Sequence, residues 1–146
     1  WDDNYPDSHV FAEGECLRKT FDPDFMLYHT MAVDEWGHMK GADSAEYANA
    51  VAAVGHLIAA RMPEWLEKGY QVVVTADHGM NNLGIHVGTE YAQREVALYI
   101  FSDKVENGRF EENYISQLNV APLVCKLMGV PATEGMKQEL EIVFSK

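Results

Sequence analysis

The sequence predicts an α/β fold, a mainly parallel sheet with helices on both of its faces, and three segments carry that expectation. Val72-Val73-Val74-Thr75 is an unbroken apolar run of β-favouring residues. Runs without polar alternation belong to strands covered on both faces, as in parallel sheets. Phe25-Met26-Leu27-Tyr28 is a second run of this kind, and a helical stretch separates the two. Strand, helix, strand is a crossover unit, which favours parallel pairing and a right-handed connection.

Taken in order, Trp1 to Asp7 has no apolar strand, and Thr20 falls in a polar loop after Arg18-Lys19. The Phe25 to Tyr28 strand runs on through His29-Thr30-Met31-Ala32-Val33 into Asp34-Glu35-Trp36-Gly37-His38-Met39-Lys40-Gly41. Asp43-Ser44-Ala45-Glu46 reads as a capping box with Asp43 as N-cap. Tyr47, Val51, Val54, Leu57, Ile58, Arg61 and Trp65 then follow helical spacing. Pro63 ends or restarts that helix before Gly69 closes it. A strand starts near Gln71 and another spans Glu95 to Phe101, followed by a turn at Ser102-Asp103. Glu106 to Arg109 is a polar turn, and Glu111-Glu112 is charge suited to a helix start. Asn113 to Met128 is mostly helix with Pro122 near a first turn. Ile142-Val143-Phe144 is an edge strand or a partner-pairing tail, and the chain has no repeats or low-complexity stretch.

The chemistry concentrates at the ends of the two apolar runs. Asp77 and His78 follow the valine strand, and Gly79 permits a sharp exit. Ligands of open α/β sheets sit beyond the carboxyl ends of strands, where this pair falls. Alone, such a pair reads as a capping acid and a solvated histidine. It is not alone: Asp34 and His38 follow the first run, and His86 lies between Gly84 and Gly88, eight positions after His78. Carboxylate oxygen and imidazole nitrogen bind zinc-type ions at about 2.0 to 2.2 Å, so two Asp and three His could hold two ions. His56 falls inside the helix, and His56, His9 and His29 read as packed or solvated. Trp36, Tyr91 and Tyr28 are near enough in sequence to the ligands to be suggested as substrate contacts.

Asp34-x-x-Gly37-His38-x-x-Gly41, then Thr75-Ala76-Asp77-His78-Gly79-Met80, then Gly84-Ile85-His86, resembles the later half of the alkaline phosphatase superfamily, nearest its type I phosphodiesterase and nucleotide pyrophosphatase branch. Gln117 to Leu123 and Gly129-Val130-Pro131 extend the resemblance, which spans about residues 24 to 131. It implies an alkaline-phosphatase-like fold of which the 146 residues are one domain's worth, a fragment of a larger catalytic domain. It implies two divalent cofactor ions, zinc first and manganese second. Asp34, His38 and His86 resemble the ligands of one ion, the one that holds the hydrolytic water. Asp77 and His78 resemble half of the other site, which activates a Thr or Ser nucleophile. That nucleophile, expected upstream, has no counterpart here, since Thr20 and Thr30 do not sit where the family places it. The implied function is a phosphodiesterase or phosphatase acting on a phosphate-ester small molecule, this chain supplying the metal-binding half and inactive alone. The alternative is a non-catalytic metal-binding or assembly module derived from the fold.

Composition narrows the partners. With 23 acidic and 11 basic residues the net charge is −12, and no basic patch is available to neutralise nucleic-acid phosphates. Anionic esters would be met by metal, since two bound ions add four positive charges at one point. Cys16 and Cys125 are too few and too far apart for a disulfide framework or zinc knuckle; free thiols are the default reading and one bridge is the alternative. No apolar stretch reaches the roughly 18 residues of a membrane span. The chain opens at Trp1, so the lack of a leader says nothing of compartment.

Overall fold

A computed structural model describes residues 6–108, 114–136, 140 and 142–145. Helix α1, Asp7–Phe21, carries an acid in its first turn and Arg18 and Lys19 in its last, complementing the helix dipole. Thr20, expected in a loop, lies in this last turn, and its hydroxyl donates to the Cys16 carbonyl at 2.7 Å. The buried positions of α1 are Asp7, Phe11, Gly14 and Arg18. Their spacing is helical, but two of the four are charged, so apolar periodicity does not reveal the helix.

Asp7 does more than start α1. Its carboxylate is buried and accepts from the Met31 and Ala32 amides at 2.9 and 3.4 Å, which caps the next helix, α2, Ala32–Lys40. Asp34 and His38 therefore stand one turn apart on a helix rather than on a loop leaving a strand. Helix α3, Ala45–Ala59, starts one residue later than the capping-box reading placed it: the Ser44 hydroxyl, not Asp43, accepts from the Tyr47 amide at 3.1 Å. Pro63 restarts the helix as expected, in the first turn of α4, Met62–Glu67. Gly69, at φ +86°, turns the chain into strand β1, Val72–Thr75.

Helix α5, Tyr91–Arg94, leads to β2, Leu98–Phe101; a 3-10 turn, Gln117–Asn119, leads to α6, Val120–Met128. Gly129 ends α6 in the left-handed conformation. Val105 and Phe144 form an isolated antiparallel bridge, so the tail meets the segment after β2 without joining the β1–β2 sheet. Arg109, Glu111, Glu112 and Asn113 lie outside the described residues.

The molecule is mixed α and β, but the sheet among the described residues is a single antiparallel pair, with Val72 opposite Phe101 and Thr75 opposite Leu98. The parallel pairing expected of these two strands is corrected. A parallel return needs a crossover, usually a helix long enough to carry the chain back along the sheet. Here residues 76–97 form loops and one four-residue helix, so the chain turns back directly. The Phe25 to Tyr28 segment lies outside any helix or strand and forms no ladder. An apolar cavity of about 510 Å³, lined by Leu27, Val54, Val73 and Leu127 among others, separates it from β1, so the two backbones do not meet.

The buried apolar side chains fall in small groups. Phe11, Tyr28 and Trp65 stack between α1 and α4 with centroids 5.2 to 6.4 Å apart. Tyr28 packs in this stack, its hydroxyl donating to Glu15 at 3.0 Å. Leu123 and Leu127 bury the inner face of α6, and Met80 lies beneath α2 against Gly37. Cys16 and Cys125 are free thiols. Among the described residues no helix is long and apolar enough to cross a membrane.

Candidate metal centre

Three pieces of chain converge: α2 brings Asp34 and His38, the turn after β1 brings Asp77 and His78, and the following loop brings His86. Close backbone approach is what lets them meet. Gly84, at φ +70°, lies so near α2 that a Cβ there would stand 2.6 Å from the His38 carbonyl oxygen. At Gly79 a Cβ would overlap the Ala92 carbonyl on α5. The glycines of the sequence pattern are thus contact points between loops, not only flexible exits. Gly84→Ala is expected to cost about 1 to 3 kcal/mol, from left-handed backbone strain and separation of the two loops. Chemical denaturation of the variant beside wild type checks this, and an unchanged midpoint would refute it.

The carbonyls at these contacts also orient the imidazoles. His38 Nδ1 lies 2.7 Å from the Gly84 carbonyl, and His78 Nδ1 lies 3.0 Å from the Gly79 carbonyl. A carbonyl can only accept, so each Nδ1 carries the proton and donates it. In its neutral form each ring presents its Nε2 lone pair to the other side. Both lone pairs face Asp34: His38 Nε2 is 3.5 Å from Oδ2 and His78 Nε2 is 3.7 Å from Oδ1. The Oδ1 atom is buried and has no hydrogen-bond partner.

With the rings in that form, acceptors face acceptors across the gap, an arrangement that a bound cation relieves. Two ligands bound at about 2.1 Å to one tetrahedral ion stand about 3.4 Å apart, close to the separations found. Asp34, His78 and His86 offer ligand atoms all within 4.8 Å of one another. The His86 ring stacks on His78 at 3.8 Å and lies 5.0 Å from His38. Asp77 reaches the group from its exposed side, Oδ1 being 3.8 Å from His78 Nε2. These donors fit a divalent ion of the zinc type.

All five residues singled out from the sequence therefore meet in one cluster. The carboxylate of Asp34 stands at its centre, one oxygen toward His38 and the other toward His78. The sequence had assigned those histidines to different ions. Gln93 was missed: buried, it donates from Nε2 to the Ile85 carbonyl at 3.2 Å beside His86, while its own carbonyl accepts from the Gly79 amide at 2.9 Å. Gln117 was missed too, donating to the Ala76 and Asp77 carbonyls at 2.9 and 3.0 Å. The capping-box spacing Glu90 to Gln93 was the signal for the first; nothing local marks the second.

Comparison with known proteins identifies relatives of the chain. GPI ethanolamine phosphate transferase 3, catalytic subunit, of Homo sapiens is 29% identical over 115 residues, covering 77% of this chain and 10% of its own length. Its Mus musculus counterpart is 29% identical over 145 residues, covering 94% of this chain and 13% of its own. GPI ethanolamine phosphate transferase 3 of Schizosaccharomyces pombe is 25% identical over 142 residues, covering 90% of this chain and 15% of its own. The chain thus spans between about a tenth and a sixth of these relatives. No solved structure matches it at a significant level. The profile of the family described as type I phosphodiesterase / nucleotide pyrophosphatase matches residues 4–124, and the chain, with its Asp-His cluster at the converging loops, belongs to that family and so to the alkaline phosphatase superfamily.

Proposed function

We propose that this chain is the metal-holding portion of a phosphoester-processing enzyme that transfers ethanolamine phosphate, or hydrolyses the corresponding ester. The observation that carries the reading is the buried, unpartnered Asp34 Oδ1, faced by an imidazole whose proton is already committed to a carbonyl. The relatives' printed activity supports the transfer chemistry, and hydrolysis is the same displacement with water as acceptor.

Asp34, His38, His78 and His86 hold the ligand atoms, with Asp77 completing the exposed side. We assign Asp34, His38 and His86 to one ion and Asp77 and His78 to part of a second site, with zinc preferred and manganese the alternative. Divalent ions bound there would supply Lewis acidity, lowering the pKa of a coordinated hydroxyl and offsetting charge on the phosphoryl oxygens. The carbonyls of Gly84 and Gly79 keep His38 and His78 in the tautomer that binds. Gln93 and Gln117 fix the spacing of the loops. The attacking Thr or Ser belongs to sequence outside this chain. The Phe25 to Tyr28 segment and the cavity beside β1 belong, in the same reading, to a larger parallel sheet completed by that sequence.

The test is turnover of a nitrophenyl phosphodiester with zinc or manganese. The 146 residues alone are expected to give at most slow, metal-dependent hydrolysis, and the chain extended upstream to give saturable turnover. An extended chain that binds metal yet neither transfers nor hydrolyses would establish the non-catalytic module instead. Robust saturable turnover by the 146 residues, abolished by Thr30→Ala, would place the nucleophile within them and overturn the division of labour.

A further inference from the structure

Beside the metal cluster a trough of about 1530 Å³ opens, and Asp77 forms part of its wall. Tyr91, Tyr114, Glu95 and Arg94 line the same trough. The two tyrosine rings stand edge to face, centroids 6.1 Å apart and planes at 81°, with their hydroxyls hydrogen-bonded to each other. Either hydroxyl can donate in that pair, and the Glu95 carboxylate on the same wall can only accept.

This corner is tied to the cluster by short, specific links. Tyr91 and Gln93 share helix α5, and Gln93 holds the His86 loop and the residue after His78. Tyr114 lies three residues before Gln117, whose amide clasps the Ala76 and Asp77 carbonyls. Both rings are more than half exposed, so their faces remain open to a ligand. Glu95 and Glu106 outnumber Arg94 on the wall away from Asp77, leaving an excess of negative charge. Two aromatic faces with an adjacent carboxylate attract a compact organic cation by quadrupole and charge together.

We infer that Tyr91, Tyr114 and Glu95 form a binding site for a primary ammonium group, set beside the metal cluster so that an aminoalkyl phosphate reaches both at once. The inference rests on the proposed reading that the cluster takes the phosphate. The ammonium then sits against the ring faces and Glu95, and the short carbon chain crosses the rim at Asp77. Selection among phosphate esters comes from the amine end, because every ester offers the same phosphate.

Isothermal titration of the zinc-loaded chain with ethanolamine phosphate and with ethyl phosphate, which lacks the amine, tests it. Ethanolamine phosphate is expected to bind about tenfold tighter. The preference should collapse toward unity in Tyr91→Ala with Tyr114→Ala and in Glu95→Gln, and persist in part in Tyr91→Phe, which keeps the ring. If ethyl phosphate binds and ethanolamine phosphate binds no tighter, the ammonium site is wrong and the phosphoester reading stands. A preference that survives all three substitutions also overturns the site. If neither ester binds the zinc-loaded chain, the phosphoester reading fails and the ammonium site falls with it.

Discussion

Asp34→Asn is expected to abolish stoichiometric zinc binding by the chain, with affinity falling more than about 100-fold. The substitution keeps the size of the side chain but removes its charge. It also places an amide nitrogen, which cannot ligate, at one of the two positions facing His38 and His78. Of the two carboxylates in the cluster only Asp34 lies between two imidazoles, so this change acts on both at once. His38→Ala and His86→Ala should each lower zinc content as well, because a site of three protein ligands that loses one competes poorly with the hydrated ion. Asp77 is 73% exposed at its side chain and meets only His78 within the cluster, so Asp77→Ala should leave the first ion bound. His56, exposed on α3, is the control. Elemental analysis after gel filtration measures all of these, and equal metal content in Asp34→Asn and His56→Ala would show that the cluster is not the metal centre.

Glu15→Ala should be the most destabilising single change outside the cluster, by about 3 to 5 kcal/mol. The Glu15 side chain is only 13% exposed and accepts from Arg18 at 2.9 and 3.0 Å, Tyr28 at 3.0 Å and Trp65 at 2.7 Å. Truncation strands all three donors in the packed seam between α1 and α4. Arg18, 6% exposed at its side chain, keeps Glu64 at 2.5 Å as an acceptor, but that carboxylate is 44% exposed and replaces only part of the loss. Against the 5 to 15 kcal/mol typical of a whole domain, about 4 kcal/mol decides whether the chain folds.

The same carboxylate sets an acid limit. Burial alone would raise its pKa, but the hydrogen bonds from Arg18, Trp65 and Tyr28 overcome this and hold it down to about 2, against an ordinary value of 4.5. A depressed carboxylate contributes stability that is fully present above its unfolded pKa and is lost as pH falls through its folded pKa. The loss should therefore run from about pH 4.5 down to about pH 2 and amount to about 3 kcal/mol. Urea melts across that range should show the slope in wild type and its absence in Glu15→Gln. Parallel slopes in the two proteins would remove Glu15 as the cause.

The sequence by itself singled out the five residues that the fold brings together. Asp34, His38, Asp77, His78 and His86 were legible because metal chemistry demands particular side chains, and because glycines at close backbone contacts cannot be exchanged for residues with a Cβ. It also determined β1, the α3 and α4 pair broken at Pro63, and the end of α6 at Gly129, since these rest on local periodicity, a missing amide hydrogen and a left-handed turn. Tertiary structure decided the rest. Helix α1 stayed hidden because two of its four buried positions are charged residues: Asp7, paired with the start of α2, and Arg18, held by Glu15 within the helix and by Glu64 far along the chain. Strand pairing was decided by what lies beside each apolar run, which is why Val72 to Thr75 found an antiparallel neighbour in β2 while Phe25 to Tyr28, held off by a cavity, found none. The central place of Asp34, shared between two histidines that the sequence had assigned to different ions, follows from helix α2 lying against the Gly84 loop, a contact between residues 46 positions apart that no local pattern encodes.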